Sequence, residues 1–173
     1  MQVKYSNIGT EPILSADVKS WLKVDFSDED SLISSLITQV REIAEEFTGL
    51  SLVQKTIEYF EGDEDILCDW IRLPYPEHNE ITEVLVDGVE VTDYLSTGLT
   101  QKLIKIVSFS ETDISDKGLK VTYTTTGNCP SGVKVAMLKE IASIYEHRGN
   151  AFEGGLVNLS DDFRGILSQF KVY

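Results

Sequence analysis

Four carboxylates crowd into six residues at Asp25, Asp28, Glu29 and Asp30, just ahead of the apolar rhythm of SLISSLI. Residues of this type at this spacing can hold a divalent cation, share a proton in acid–base catalysis, or start a helix. A calcium loop requires oxygen ligands at alternate positions, a glycine at the sixth and a bidentate Glu at the twelfth. Counted from Asp25, those places hold Asp30 and Leu36; counted from Asp28, they hold Ile33 and Gln39. Both registers fail. The helix reading fits better. Ser27 can cap the backbone of Asp30 while Asp30 reaches back, a Ser-x-x-Asp variant of the capping box. Carboxylates in a first helical turn meet unpaired N–H groups and each contributes about 0.3–1 kcal/mol, less their mutual repulsion.

The remaining reactive residue types are sparse. GDEDILCD (62–69) brings Asp63, Glu64 and Asp65 together and reads as a solvated turn, with a metal or partner site as the alternative. His78, in PEHNE beside Glu77 and Glu80, reads as part of a polar loop. His147 closes a helix, where it complements the C-terminal dipole. Cys68 and Cys129 stand far apart without a CxxC pairing and read as reduced thiols. No nucleophile motif accompanies either histidine. GNAFEGGLVN (149–158) has three glycines but neither phosphate-loop pattern, and reads as a connector carrying one exposed aromatic, Phe152. The sequence therefore predicts no catalytic residue, no metal ligand set and no cofactor, and no enzyme.

The elements that would position these residues change character twice along the chain. Ser15 can cap a short helix in SADVKSWLKV, with Val18, Trp21 and Leu22 on one face. Leu32, Ile33, Leu36, Ile37, Val40, Ile43, Ala44 and Phe47 then keep helical spacing over four turns, and Gly49 stands at the left-handed stop. About six strands follow in VQKTIEYF, WIRL, ITEVLVDGVEVTDYL, KLIKIVSF and LKVTYTTT, with a hairpin at Asp87-Gly88. Helix resumes after Gly127 and Pro130. It carries two apolar stripes, Val133, Met137, Ile141 and Ile144, and Val135, Leu138, Ala142 and Tyr145, which predict burial by more than one neighbour. Ser160, with Asp161 and Asp162, caps a last short helix. The chain ends in FKVY, whose Phe170, Val172 and Tyr173 either fold back on the helices or insert into a partner.

The predicted fold class is α+β: a helical bundle formed by the N- and C-terminal helices (1–49 and 127–173), with an inserted antiparallel β-sheet lobe (50–126). The chain carries 29 acidic and 15 basic residues, which argues against nonspecific binding to nucleic acid. The excess is central: Glu58 to Asp93 holds twelve acidic residues and one base, Arg72. No run approaches the length of a membrane span, and MQVKYSNIGTEP lacks a secretory pattern, so a cytoplasmic origin is expected.

The order of these motifs resembles the phage head–tail connector (adaptor) family. SADVKSWLKVDFSDEDSLISSLITQVREIAEEFTG is similar to that family's opening: a short helix, a Leu-x-Val-Asp step, an acidic cap and a long helix ending at Phe47, Thr48 and Gly49. LKVTYTTTGNCPSGVKVAMLKEIASIYEHRG is similar to its closing strand, turn and long helix, which ends at Tyr145, Glu146 and Arg148, and LSDDFRGILSQFKVY to its last helix. The resemblance implies a structural, non-enzymatic protein that forms a ring, typically of twelve subunits, beneath the portal. It would extend the DNA channel and dock neck or tail proteins, residing in the virion neck and, during assembly, in the host cytoplasm. DNA would pass without sequence-specific binding, and an acidic wall suits such a conduit. The family's C-terminal segment reaches toward the portal, which makes Phe152, Phe170, Val172 and Tyr173 the expected portal or subunit interface. The alternative is a small acidic inhibitor that binds a basic partner or mimics DNA through Glu83, Asp87, Glu90 and Asp93.

Overall fold

The computed structural model describes residues 2–62, 69–75, 77–98, 101–108, 118–147 and 160–172. The described elements run β1 (Gln2–Asn7), α1 (Ser15–Leu22), α2 (Asp30–Thr48), β2 (Lys55–Glu61), β3 (Ile71–Arg72), β4 (His78–Val86), β5 (Val89–Glu90), β6 (Tyr94–Thr97), β7 (Leu103–Ile106), β8 (Leu119–Thr125), α3 (Ser131–His147) and α4 (Asp161–Leu167). The fold is α+β. Two compact units divide it: Met1–Thr10 with Val53–Asn128, and Glu11–Leu52 with Cys129–Tyr173. The bounds read from sequence thus shift, because residues 2–10 run with the strands rather than with the N-terminal helices.

In the helical unit, the long apolar repeat becomes α2. Ile33, Leu36, Ile37, Val40 and Ala44 are buried, while Leu32 lies on the open side at 39% exposure. Gly49 stops the helix at φ +75°, donating its amide to the Glu45 carbonyl at 2.8 Å. Helix α3 packs against α1, α2 and α4, and its first stripe joins the same core through Val133, Met137 and Ile141. Phe163 and Leu167 of α4 complete it.

The start of α2 departs from the expected capping box. The helix begins at Asp30, and no side chain caps it. The carboxylates serve tertiary contacts instead. Asp30 accepts from Lys19 of α1 at 2.7 Å, and Glu29 accepts from the Tyr145 hydroxyl of α3. A partner across the bundle fixes a helix where a local cap would only end one. At α1, Asp17 reaches back to the Leu14 amide at 3.2 Å, so the cap lies one residue before Ser15. The predicted Ser160 cap is present: its hydroxyl accepts from the Phe163 amide at 3.2 Å. The same hydroxyl donates to the buried carboxylate of Glu140 in α3 at 2.5 Å, and the Ser160 amide donates to Glu140 at 3.2 Å.

Among the described residues, one cation is buried inside this unit. Arg41 is 1% exposed in its side chain. Its Nε donates to Glu11 at 2.8 Å and its Nη1 to Glu45 at 2.6 Å. Thr38 donates to the other oxygen of Glu11 at 3.1 Å, and the Leu52 amide to the other oxygen of Glu45 at 2.8 Å. Burial opposes the charge, but the hydrogen bonds and charges of the two carboxylates outweigh it and hold the Arg41 pKa above its ordinary value.

In the strand unit, a five-stranded sheet runs β1-β2-β8-β4-β5 and a three-stranded sheet runs β3-β7-β6. Alternation places Ile57 and Tyr59 of β2, Val121 and Tyr123 of β8, and Val84 and Val86 of β4 in one core with Ile71, Ile104 and Ile106 of the smaller sheet. The hairpin forms where Asp87-Gly88 predicts it, with φ +52° and +78°, and Val86 faces Val89. Asp87 is buried, and its carboxylate accepts from the Gly118 amide at 2.8 Å. Gly127 is required at φ +71°: a Cβ there would meet the Gln54 nitrogen at 2.1 Å.

Strand β1 was not among those read from the sequence. Its residues are largely exposed, so QVKYSN has no buried apolar face to betray it. What secures it is full antiparallel pairing with β2 and the buried Lys55, whose ammonium lies 4.4 Å from the Tyr5 ring centroid and 5.1 Å from that of Tyr75.

Arg41→Ala should lower unfolding free energy by about 3–5 kcal/mol, because it strands Glu45 without its charge partner. Lys4→Ala, which removes an exposed pair to Glu58 at 3.9 Å, should leave the denaturation midpoint in place. Urea unfolding followed by circular dichroism measures both.

Candidate functional site

Burial holds His78, Tyr123 and Cys129 in their neutral forms. His78 does not lie in a polar loop: it opens β4, with its ring centroid 4.5 Å from that of Tyr123. Both ring nitrogens are shielded from solvent, with no hydrogen-bond partner among the described residues. Burial first, and Lys102 second, push its pKa down to about 4 against the opposing Pro74 carbonyl. The histidine is therefore neutral at physiological pH. Tyr123 donates to the Pro74 carbonyl at 2.6 Å, and burial raises its pKa strongly. The Cys129 thiol is pushed up to about 11 by burial, which outweighs the lowering effect of Lys134 and is joined by Glu45. It is a thiol, not a thiolate nucleophile.

Among the described residues, no group of three His, Cys, Asp or Glu side chains stands close enough to share a metal ion. Asp63, Glu64, Asp65 and Cys68 lie outside the described residues. His147 ends α3 as expected, with Nδ1 2.8 Å from the Ser143 carbonyl oxygen. Two clefts in the strand unit are lined by described residues. One, of about 290 Å³, holds Ser108 donating to Asp93 at 2.5 Å, with no histidine beside them. The other, of about 440 Å³, sets Lys120 between Phe60 and Leu85. Neither assembles a nucleophile, a base and an orienting group.

The residues expected at an interface fall in two groups. Phe152 and Tyr173 lie outside the described residues. Phe170 and Val172 are half-buried on their own helical unit. The Val172 amide donates to the Thr48 carbonyl at 2.8 Å, and the Phe170 ring lies against Gly132, where a Cβ would come within 2.9 Å of it. Lys171 projects over the Phe47 ring at 5.6 Å. Of the two possibilities left open by the sequence, the isolated subunit adopts the folded-back one for these two residues.

A second set of surface residues escaped the sequence reading: Trp21 and Val135 fit a buried helical face by spacing, and Leu14 and Phe26 lie outside the helical repeats. Leu14 is 60% exposed, Trp21 49%, Phe26 48% and Val135 44%. Trp21 was expected on the buried face of α1 with Val18; only Val18 is enclosed. Val135 was expected beneath a second neighbour of α3. That stripe is open at Val135 and only half-covered at Leu138, Ala142 and Tyr145. No helix among the described residues is long and apolar enough to cross a membrane.

A family model described as "Phage gp6-like head-tail connector protein" matches residues 16–169. No curated protein matches the sequence. Among solved structures, a chain in the neck of an empty GTA particle computed with C6 symmetry is similar, with 14% identity and a TM-score of 0.72 over 98% of this chain and 96% of that one. A chain of the native gene transfer agent virion gives 12% identity and 0.67, over 98% and 95%. One from the native neck computed with C12 symmetry gives 11% and 0.63, over 98% and 96%. At these identities the likeness is one of fold.

The unpartnered histidine predicts an acid-sensitive strand unit. The unfolded chain takes up this proton near pH 6.5, the folded chain only near pH 4. The stabilisation is complete above about pH 6.5 and is lost as pH falls toward 4, a change on the order of 1–3 kcal/mol. His78→Phe keeps a ring on Tyr123 and removes the titration. The urea midpoint should fall further between pH 7.5 and 4.5 in wild type than in His78→Phe; equal falls would show that the folded histidine takes up its proton at the ordinary pKa.

Proposed function

The chain belongs to the phage gp6-like head–tail connector family, and we propose that it works as a ring of its own copies seated beneath the portal of a tailed phage or phage-like particle. The observation that carries this reading is the reach of the family match, residues 16–169, across both helical segments and the strands between them. Its role is structural. The ring extends the DNA channel and offers a surface to the next neck or tail protein. Twelve subunits suit a portal-matched ring, and the fold likeness to chains of necks treated with C6 and C12 symmetry supports cyclic assembly. A non-enzymatic role is supported by burial of His78, Cys129 and Tyr123, which holds each in its neutral form. Its working place is the virion neck, reached from the host cytoplasm during assembly.

The helical unit is the ring-forming bundle, and the strand unit is an inserted lobe that faces outward or toward a partner. An acidic chain suits a conduit that must let phosphates slide past, since bound cationic side chains would retain them. Phe170 and Val172, with Phe152 and Tyr173, form the portal-side or subunit contact. Phe170 and Val172 dock on the helical unit through the Val172–Thr48 backbone hydrogen bond and half-buried side chains, a hold that a partner can replace. The rival reading, a DNA mimic, needs a free row of carboxylates at Glu83, Asp87, Glu90 and Asp93. Asp87 is buried and Glu83 lies 3.5 Å from Lys120, which breaks that row.

Negative-stain imaging of the protein mixed with its cognate portal should show a ring capping the portal. A chain that stays monomeric with the portal at every concentration would sink the reading. Val172→Asp should weaken portal capture about tenfold or more, as loss of an interface anchor does, with the circular dichroism spectrum unchanged.

A further inference from the structure

A cyclic ring needs two different patches on each subunit, one fitting the other on the next copy. The helical unit carries two such patches, and their charges are opposite. The first lies where α1 meets α2. Trp21, Phe26 and Leu32 are exposed there, and among them in sequence stand the exposed carboxylates of Asp25 and Asp28 and one exposed base, Lys23, which leaves the stretch net acidic. The second lies on α3. Its neighbours α1, α2 and α4 cover the stripe of Val133, Met137 and Ile141. The other stripe is left open at Val135, with Leu138 and Ala142 half-covered and the exposed Lys134 and Lys139 beside it. Among the described residues, Asp25, Asp28, Lys134 and Lys139 take part in no ion pair.

We propose that the open stripe of α3, centred on Val135 and flanked by Lys134 and Lys139, is the seat for the Trp21–Phe26–Leu32 patch of a second copy of this chain, with Asp25 and Asp28 meeting the lysines. The proposal rests on the ring reading and names its contact. The apolar centres supply the affinity, because each patch exposes large side chains that a solvated helix leaves without a partner. The lysines and carboxylates fix direction: a basic patch rejects another basic patch, so two copies cannot pair face to face and must pair head to tail. Head-to-tail contacts of one kind close into a ring when the rotation permits.

The test uses two charge-reversed full-length chains, Lys134→Glu/Lys139→Glu and Asp25→Lys/Asp28→Lys. Assembly on the cognate portal is followed by negative-stain imaging and by mass photometry. Each variant alone should lose ring formation, with at least a tenfold drop in assembled particles. An equimolar mixture should recover it, because every junction then joins opposite charges, and the chain bearing all four substitutions should recover it as well. Recovery also shows that each variant is folded. Rings formed by either variant alone as readily as by wild type, or a mixture that stays dissociated, overturn the proposal and leave the ring reading standing. Variants that assemble with themselves but no longer seat on the portal overturn it too, since the patches then serve the portal. Wild type that never assembles on the portal overturns both.

Discussion

A single buried cation organises the helical unit. Arg41 has almost no contact with water, so its charge is tolerable only while Glu11 and Glu45 stay in place. Those two carboxylates are not local neighbours in function. Glu11 begins the N-terminal helical segment and Glu45 grips the amide of Leu52, where that segment ends. The guanidinium thus clamps both ends of one stretch of chain to the middle of α2. Thr38 satisfies the remaining oxygen of Glu11, so every strong acceptor in the cluster has a donor. A hydrophobic residue of Arg41's size could fill the volume, but it would hold neither terminus.

Polar ties of the same kind bind the other helices. Lys19 to Asp30 joins α1 to α2, Tyr145 to Glu29 joins α3 to the start of α2, and Glu140 to Ser160 joins α3 to α4. Apolar contact supplies most of the driving force for such a bundle, yet it is non-directional. The hydrogen-bonded carboxylates choose one arrangement among the many that would bury the same leucines and valines. Of the acidic cluster that invited a metal or catalytic reading in the sequence, Glu29 and Asp30 therefore act as fasteners.

What the sequence disclosed follows from how locally each signal is encoded. The α2 repeat, the Gly49 stop, the Asp87-Gly88 turn and the Ser160 cap each need only a few adjacent residues, and all are present. The capping box at Ser27 failed because Asp30 found Lys19, a partner eleven residues away. His78 looked solvated because its neighbours Glu77, Asn79 and Glu80 are polar, while its ring is covered by Tyr123 from β8, which lies 45 positions on. Strand β1 was invisible because an edge strand with little buried surface carries no alternation. Trp21 and Val135 were assigned to the interior on type and spacing alone. Periodicity tells which residues share a face, not whether anything in the same chain covers it.

The Glu140 anchor has a consequence for the last helix. The cap of α4 is held by a buried carboxylate of α3 through both its hydroxyl and its amide. Any displacement of the middle of α3 is therefore passed directly to the start of α4, and with it to the C-terminal residues that return to Thr48.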